Sequence, residues 1–402
     1  MPDAIISRDV VVIGAGPAGL MAGISAAARG RSVMVLERAP EVCLNFLRAG
    51  SGAAPVSNSG LDVSRFQGRH ARFVTDALRA FGPDELAAWF AERRLELHEA
   101  EHYGHIVAPG GGEAVRDALL DALEEAGGDL YADVAITRTK ALATGFSLRA
   151  DSEVVHASSL ILATGADESG CALAAGFGHS VTPLVPAHVG LRVEESWVGL
   201  VADVWMDVRM QLLSGGKVVT EREGSMQFTA DGLAGEVIFN ISAEAARRHA
   251  EHEALELLIN FFPGQTPAEV TKWMHHTLGE ATRERADYAL DRMLPMRLAL
   301  VFLRQLKVKP DARSMHLEKA DREGLLQRMT ATRLRITGTA GPQTAESTSG
   351  GVSVREVDPR TFASRLQPGL FIVGGLLDVS ADWGGFEQHF ALASGWVAGH
   401  GA

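Results

Sequence analysis

Residues 9–38 read DVVVIGAGPAGLMAGISAAARGRSVMVLER, and the fold is decided here. Val10–Ile13 is a short β-branched apolar run, the pattern of a strand buried on both faces. Gly14-Ala15-Gly16-Pro17-Ala18-Gly19 follows at once, and an Ala-rich helical segment runs on to Arg29. A second apolar run, Ser32–Leu36, ends on Glu37. Strand, tight turn, helix, strand and terminal acid together are the parts of a dinucleotide-binding unit. Gly14 permits the turn, Gly16 lets backbone approach a pyrophosphate, and Gly19 lets the helix lie close on the sheet. Pro17 and Ala18 open the helix, whose N–H groups and dipole favour an anion. Glu37, with Arg38 beside it, falls where an acid accepts ribose hydroxyls and disfavours a 2′-phosphate.

Two later stretches choose the dinucleotide. Leu160–Gly165, LILATG, is another buried strand, and its Ala163-Thr164-Gly165 end is a recurrent second signature of FAD-binding proteins. Gly369–Gly375, GLFIVGG, is a short strand running into Gly374-Gly375, with Asp378 just beyond. Gly384-Gly385-Phe386 then opens a helix through Ala398. In FAD enzymes such a strand brings an Asp to the ribityl–phosphate linker, and the next helix points its N-terminus at the flavin pyrimidine. A dipole there stabilises the anionic reduced ring. The expected cofactor is therefore FAD. A second nucleotide turn is missing, because Gly338-Thr339-Ala340-Gly341 lacks the spacing and the flanking elements.

The 402 residues exceed the usual size of one domain, and 46% hydrophobic with 22% charged residues is a globular composition. No apolar run is long enough to span a bilayer, and no basic-then-apolar leader is evident. The two cysteines, Cys43 and Cys171, give no disulfide framework, so a cytoplasmic location is expected. A net charge of −12 makes nucleic acid an unfavoured partner. The run from Arg283 to Arg313 carries eight basic residues against four acids, and reads as a solvated face or an anion-binding rim. His102 and His105 lack the cysteine or carboxylate companions of a metal site, and no metal is expected.

The remaining patterns set the domain plan. Glu113–Ala126 and a helix from Thr266 towards Ala281 carry helical spacing and end signals. Residues 130–156 read as short strands in a small sheet crossing over the main one. Val204–Met210 and Val237–Ile241 alternate like antiparallel strands, and 243–262 reads as helix. The expected fold class is α/β: a Rossmann-like FAD-binding domain from residues 1–188 and 345–402, interrupted by a mixed β/α substrate domain at 189–344 with a helical subdomain.

With these motifs in place the chain resembles the BaiN-like NAD(P)/FAD-dependent oxidoreductase family. That family includes an aminoacetone oxidase, a bile-acid pathway flavoprotein and an rRNA dihydrouridine synthase. The resemblance spans nearly the whole chain: GAGPAGL, the loop at 48–58, FQGRHARF at 66–73, HIVAP at 105–109, LILATG, PLVPAHVGL at 183–191, QFTADGLAG at 227–235, SGGVSVREVDPRT at 349–361 and GGLLDVSADWGGF at 374–386. It implies that the small-residue loop, with Gly50, Ser51 and Gly52, passes beside the flavin. The loop ends in Ala53-Ala54-Pro55 where members commonly have Gly-Arg-Cys-Asn, and Trp383 stands where they have a small residue. The reaction implied is hydride transfer between flavin N5 and a small organic substrate, by C–H or C–N oxidation or by reduction of a conjugated C=C. Transient NAD(P)H or O2 is the open alternative for the second electron partner. Action on RNA and a non-catalytic flavoprotein are the competing readings. Oligomeric state has no signature here.

An acid or base must also stand beside the ring. The resemblance puts Tyr103, His105, His188 and Glu387 in the segments that approach it. Histidine as a residue type titrates in the useful range, which ranks His105 and His188 first.

Overall fold

The computed structural model describes residues 5–47, 54–67, 70–150, 153–280 and 283–402. The chain divides into two compact units, Met1–Val185 with Thr348–Ala402, and Pro186–Ser347.

The first unit is built on a seven-stranded sheet. Its middle strand, Ile5–Ile13, pairs in parallel with Val33–Leu36 on one side and Glu153–Leu162 on the other. Val10, Val11 and Val12 are fully buried, at about 1.5–3 kcal/mol each for the transfer from water. Asp129–Tyr131 extends the parallel order beyond Val33–Leu36. On the edge away from Ile5–Ile13, Glu153–Leu162 serves two further partners along its length. Its first half takes the antiparallel strand Phe146–Ala150, and its second half takes Leu370–Ile372 in parallel. Ile136–Ala141 then pairs with Phe146–Ala150. The expected separate small sheet at 130–156 is therefore part of the main sheet: one long strand carries both pairings.

The Pro17–Ala27 helix is buried on every side, in keeping with its lack of any polar face. The terminal helix, Phe386–Gly401, lies directly on it. Gly395 and Gly399 make this possible: an added Cβ would stand 2.2 Å from the Ala18 carbonyl oxygen and 2.3 Å from that of Ala22.

The second unit has its own core around a closed barrel. The strands, in barrel order, are Leu191–Val193, Gly232–Ala234, Lys217–Phe228, Trp205–Ser214, Leu255–Asn260 and Thr332–Thr339. Helices Pro267–Glu280, Met296–Gln305 and Lys319–Ala331 belong to the same unit. Thr266 and Glu269 form the expected capping box, with the Thr266 N–H donating to the Glu269 carboxylate at 2.8 Å.

Two expectations fail here. Val237–Ile241 is not a strand but the first turns of the helix Glu236–Ala250, and 243–262 is not one helix, because Leu255–Asn260 is a barrel strand. Val237, Ile238, Ile241 and Ala245 fall on one buried face at helical spacing, whereas Leu255, Leu257 and Ile259 alternate with less buried neighbours. Five residues of the first period are too few to separate from a strand.

Candidate functional site

The three glycine signatures meet in the first unit. An added Cβ on Gly14 (φ +102°) would lie 2.5 Å from the Ala163 carbonyl oxygen, so the first turn presses on the Ala163-Thr164-Gly165 segment. A Cβ on Gly19 would lie 1.8 Å from the Gly14 carbonyl oxygen, which holds the helix against its own turn. The Gly374-Gly375 pair closes the third side. Gly374 leaves 2.8 Å between an ideal Cβ and the Ala18 side chain, and Gly375 faces Ala166 and Gly165 at 3.7 and 3.9 Å.

Gly16 and Gly165 differ from these. Among the described residues, and apart from their own chain neighbours, nothing lies within 4 Å of a Cβ built on either one. Packing therefore explains Gly14, Gly19 and Gly374, while Gly16 and Gly165 border open space. Gly16 also caps the Pro17–Ala27 helix without any side-chain hydrogen bond, and Pro17 gives up an N–H that a helix start would leave unsatisfied. The resulting cradle of N–H dipoles fits a pyrophosphate.

Glu37 stands at this turn but is engaged there. Its carboxylate accepts the Ala15 N–H at 2.7 Å and the Ala39 N–H at 2.9 Å. It therefore braces the turn, with the second lone pair of each oxygen remaining for a ribose hydroxyl. Arg38 leans away, to Asp167 at 2.6 Å and Ser169 at 2.9 Å. Asp167 in turn caps the helix Glu168–Gly176 through the Gly170 N–H at 2.6 Å. Asp378 accepts from the Thr182 hydroxyl at 2.8 Å, and its N–H donates to the Val352 carbonyl. Cys43 lies close by, its N–H bonded to the Ala15 carbonyl, and burial pushes its thiol up to about 12 despite the opposing charge of Arg116. Gly50, Ser51 and Gly52 lie outside the described residues.

A second cluster surrounds the start of the terminal helix. The two-residue strand Ser57–Asn58 pairs with His105–Val107, placing Asn58 opposite His105. The Asn58 amide donates to the Tyr103 and Gly384 carbonyls, both at 2.9 Å. The rings of Tyr103, His105 and Trp383 pack together, with centroids 4.8 Å apart for His105–Trp383 and 5.6 Å for Tyr103–Trp383. His105 is buried, and its Nε2 lies only 2.7 Å from where a Gly384 Cβ would be. Tyr103 is 47% exposed and has a positive φ of 63°. Gly385 packs its α-carbon against the Ser57 carbonyl, Phe386 is buried beneath Arg65, and Glu387 accepts the Ala381 N–H at 3.3 Å. The structure thus gathers Tyr103, His105, Gly384, Gly385, Phe386 and Glu387.

His188 belongs to the second unit, where its Nδ1 lies 3.1 Å from the Ser347 hydroxyl and its φ is +47°. The stretch FQGRHARF gains a structural meaning: Phe66-Gln67 pairs with Ser380-Ala381, and Gln67 donates to the buried Asp382 at 2.6 Å. Sequence reasoning gave no role to Thr182, Asp382 or His389, and placed Ser57 and Asn58 only at the end of the small-residue loop expected beside the flavin. Among the described residues no group of His, Cys, Asp or Glu is arranged for a metal ion.

The description "HI0933-like protein Rossmann domain" matches residues 8–401. The chain belongs to the HI0933-like family. Within it, this HI0933-like chain is 31% identical to a 3-dehydro-bile acid delta(4,6)-reductase of Clostridium scindens, covering 97% of this chain and 98% of the other. It is 25% identical to a ribosomal RNA dihydrouridine synthase of Escherichia coli, over 97% and 96%. Among solved structures it is similar to a 3-ketosteroid-delta4-(5alpha)-dehydrogenase of Rhodococcus jostii, with 16% identity, a TM-score of 0.44 and coverage of 99% and 96%.

Proposed function

We propose that this chain is an FAD-dependent oxidoreductase that reduces a conjugated C=C in a small organic substrate. The convergence of the three glycine signatures around open space at Gly16 and Gly165 carries the reading. The reductive direction follows the Clostridium scindens relative. When bound, FAD supplies hydride exchange at N5.

The chain's own residues do the rest. Gly14, Gly16, Pro17, Ala18 and Gly19 form the pyrophosphate cradle. Glu37 takes the adenosine ribose, while Ala163, Thr164 and Gly165 line the cofactor's path. Gly374, Gly375 and Asp378 approach its linker. The terminal helix, from Gly384, Gly385 and Phe386, offers N–H groups to the pyrimidine edge, where the dipole favours negative charge.

Saturating a polarised C=C needs a proton at the carbon that does not receive hydride. Tyr103 is the group we place there. It is the exposed member of the cluster, whereas His105 is enclosed by Trp383 and Gly384, and Glu387 is held by the Ala381 N–H. A reduced nicotinamide visiting transiently is the electron source we favour. Gly338 sits on a barrel strand and Gly341 precedes a single 3-10 turn, so that segment forms no second dinucleotide cradle. Two buried free thiols, Cys43 and Cys171, suit a reducing cytoplasm.

RNA as substrate has less support. In the basic run, Arg285 pairs with Asp287, Arg292 with Glu284, and Arg297 donates to the Leu200 and Ala202 carbonyls. Those guanidinium groups are already engaged.

The test is anaerobic reduction of the purified yellow protein, followed by reoxidation against a panel of enones, imines and O2. Rapid reoxidation by an enone, slowed roughly 10²-fold in Tyr103→Phe with FAD content unchanged, is the expected result. Protein that stays colourless after incubation with FAD overturns the reading. Wild-type rates in Tyr103→Phe rule Tyr103 out as the proton donor.

A further inference from the structure

His389 lies one turn inside the terminal helix and is fully buried. Its Nε2 stands 3.0 Å from the Phe81 carbonyl oxygen, and its Nδ1 stands 2.8 Å from the Ser57 hydroxyl. A carbonyl only accepts, so Nε2 carries the proton. In the neutral ring Nδ1 is then bare and accepts from Ser57.

Ser57 and its neighbour grip the same helix at two further points. Asn58 donates to the Gly384 carbonyl at 2.9 Å, and the Ser57 carbonyl oxygen stands 2.4 Å from an ideal Gly385 Cβ. The His389 N–H itself closes the first helical turn on the Gly385 carbonyl at 3.0 Å. A buried imidazole, a buried hydroxyl and a side-chain amide therefore set the height of one helix end against one loop strand. Apolar side chains would fill this space equally well. What they would lack is direction, because hydrogen bonds fix distance and angle together.

We infer that His389 is a positioning residue: through Ser57 it locks the first turn of the terminal helix in register with the Ser57–Asn58 strand, and so sets the helix end offered to the flavin. The inference rests on the FAD reading above. It makes the relative affinity for reduced and oxidised flavin depend on two side chains that need not touch the cofactor.

The experiment uses the FAD-loaded full chain. Ser57→Ala removes the hydroxyl and nothing else, and His389→Leu removes both bonds at similar volume. Each variant is examined for FAD content, for the visible circular dichroism of the flavin, and for its midpoint potential. Ser242→Ala is the control. Ser242 is equally buried, donates to the Phe239 carbonyl and accepts from Val189 in the second unit. Ser57→Ala is expected to keep its fold and lose about tenfold in relative affinity for the reduced flavin, a fall of about 30 mV for a two-electron couple. Its flavin dichroism changes as well. Ser242→Ala lowers the melting temperature and leaves the potential where it was. Loss of FAD from a folded Ser57→Ala chain supports the same coupling. A wild-type potential and wild-type dichroism in Ser57→Ala overturn the inference, whether or not His389→Leu folds. If the parent protein binds no FAD, the proposed function fails first, and the two failures are told apart by colour alone.

Discussion

Neighbouring glycines in one turn do opposite work, and substitution should separate them. Gly16→Val meets no atom of the described residues near its Cβ, its chain neighbours aside, and occupies backbone that is already extended (φ −77°, ψ −178°). It should cost the fold only about 1 kcal/mol at the helix cap while filling the pyrophosphate space. The expected product is folded, colourless protein with native far-UV dichroism. Gly19→Ala should do the reverse, because its Cβ would stand 1.8 Å from the Gly14 carbonyl oxygen. The helix must lift off the turn, at about 3 kcal/mol or more, read as a lower urea midpoint. Full flavin content in Gly16→Val would show that the cradle lies elsewhere. Cys43 gives a second test. Burial foremost holds its thiol up at about 12, so it should resist thiol reagents at pH 8 and label only on unfolding.

At the scale of elements, the terminal helix couples stability to pH. Desolvation pushes His389 down to about 4 from its ordinary 6.5, outweighing the Phe81 carbonyl and Glu85. Below about 6.5 the unfolded chain takes up a proton there that the folded chain refuses until about pH 4. The stability this neutral ring contributes is thus complete above the first value and falls away towards the second. The full loss is about 3 kcal/mol. Urea unfolding at pH 7 and pH 4.5 should show the parent losing roughly 2–3 kcal/mol more than His389→Gln. Equal losses would mean that the ring is not buried as a neutral group.

That helix also marks how far the sequence could be read. Gly384-Gly385 announced its start, and the turns at Gly14 and Gly165 announced their strands, because backbone geometry restricts such positions to few residue types. Ser57 and His389 had no such mark. They are 332 positions apart, and a side-chain hydrogen bond leaves no periodicity in either segment. The helix at Val237–Ile241 was hidden for another reason: its apolar face begins directly after Gly235 (φ +96°), where a strand could equally have started.

On the scale of the whole molecule, we propose that Pro186–Ser347 folds by itself. It has a separate core and a closed barrel, and its two ends are tied by the Glu346 N–H donating to the His188 carbonyl at 3.2 Å. Expressed alone, it should melt in one cooperative transition. Replacing it by a short Gly/Ser linker should leave a first unit that still takes up FAD. A fragment that remains unfolded would show that the barrel depends on the rest of the chain.

The contact of Gly395 with Ala18 also bears on synthesis. The Pro17–Ala27 helix leaves the ribosome well before the helix that covers it, which is encoded roughly 380 residues later. At about 5–20 residues per second, this leaves roughly 20–80 s during which an apolar helix has no lid. Stable flavin capture is then expected only once that helix has been made, and the stage before it is when a chaperone has most to protect.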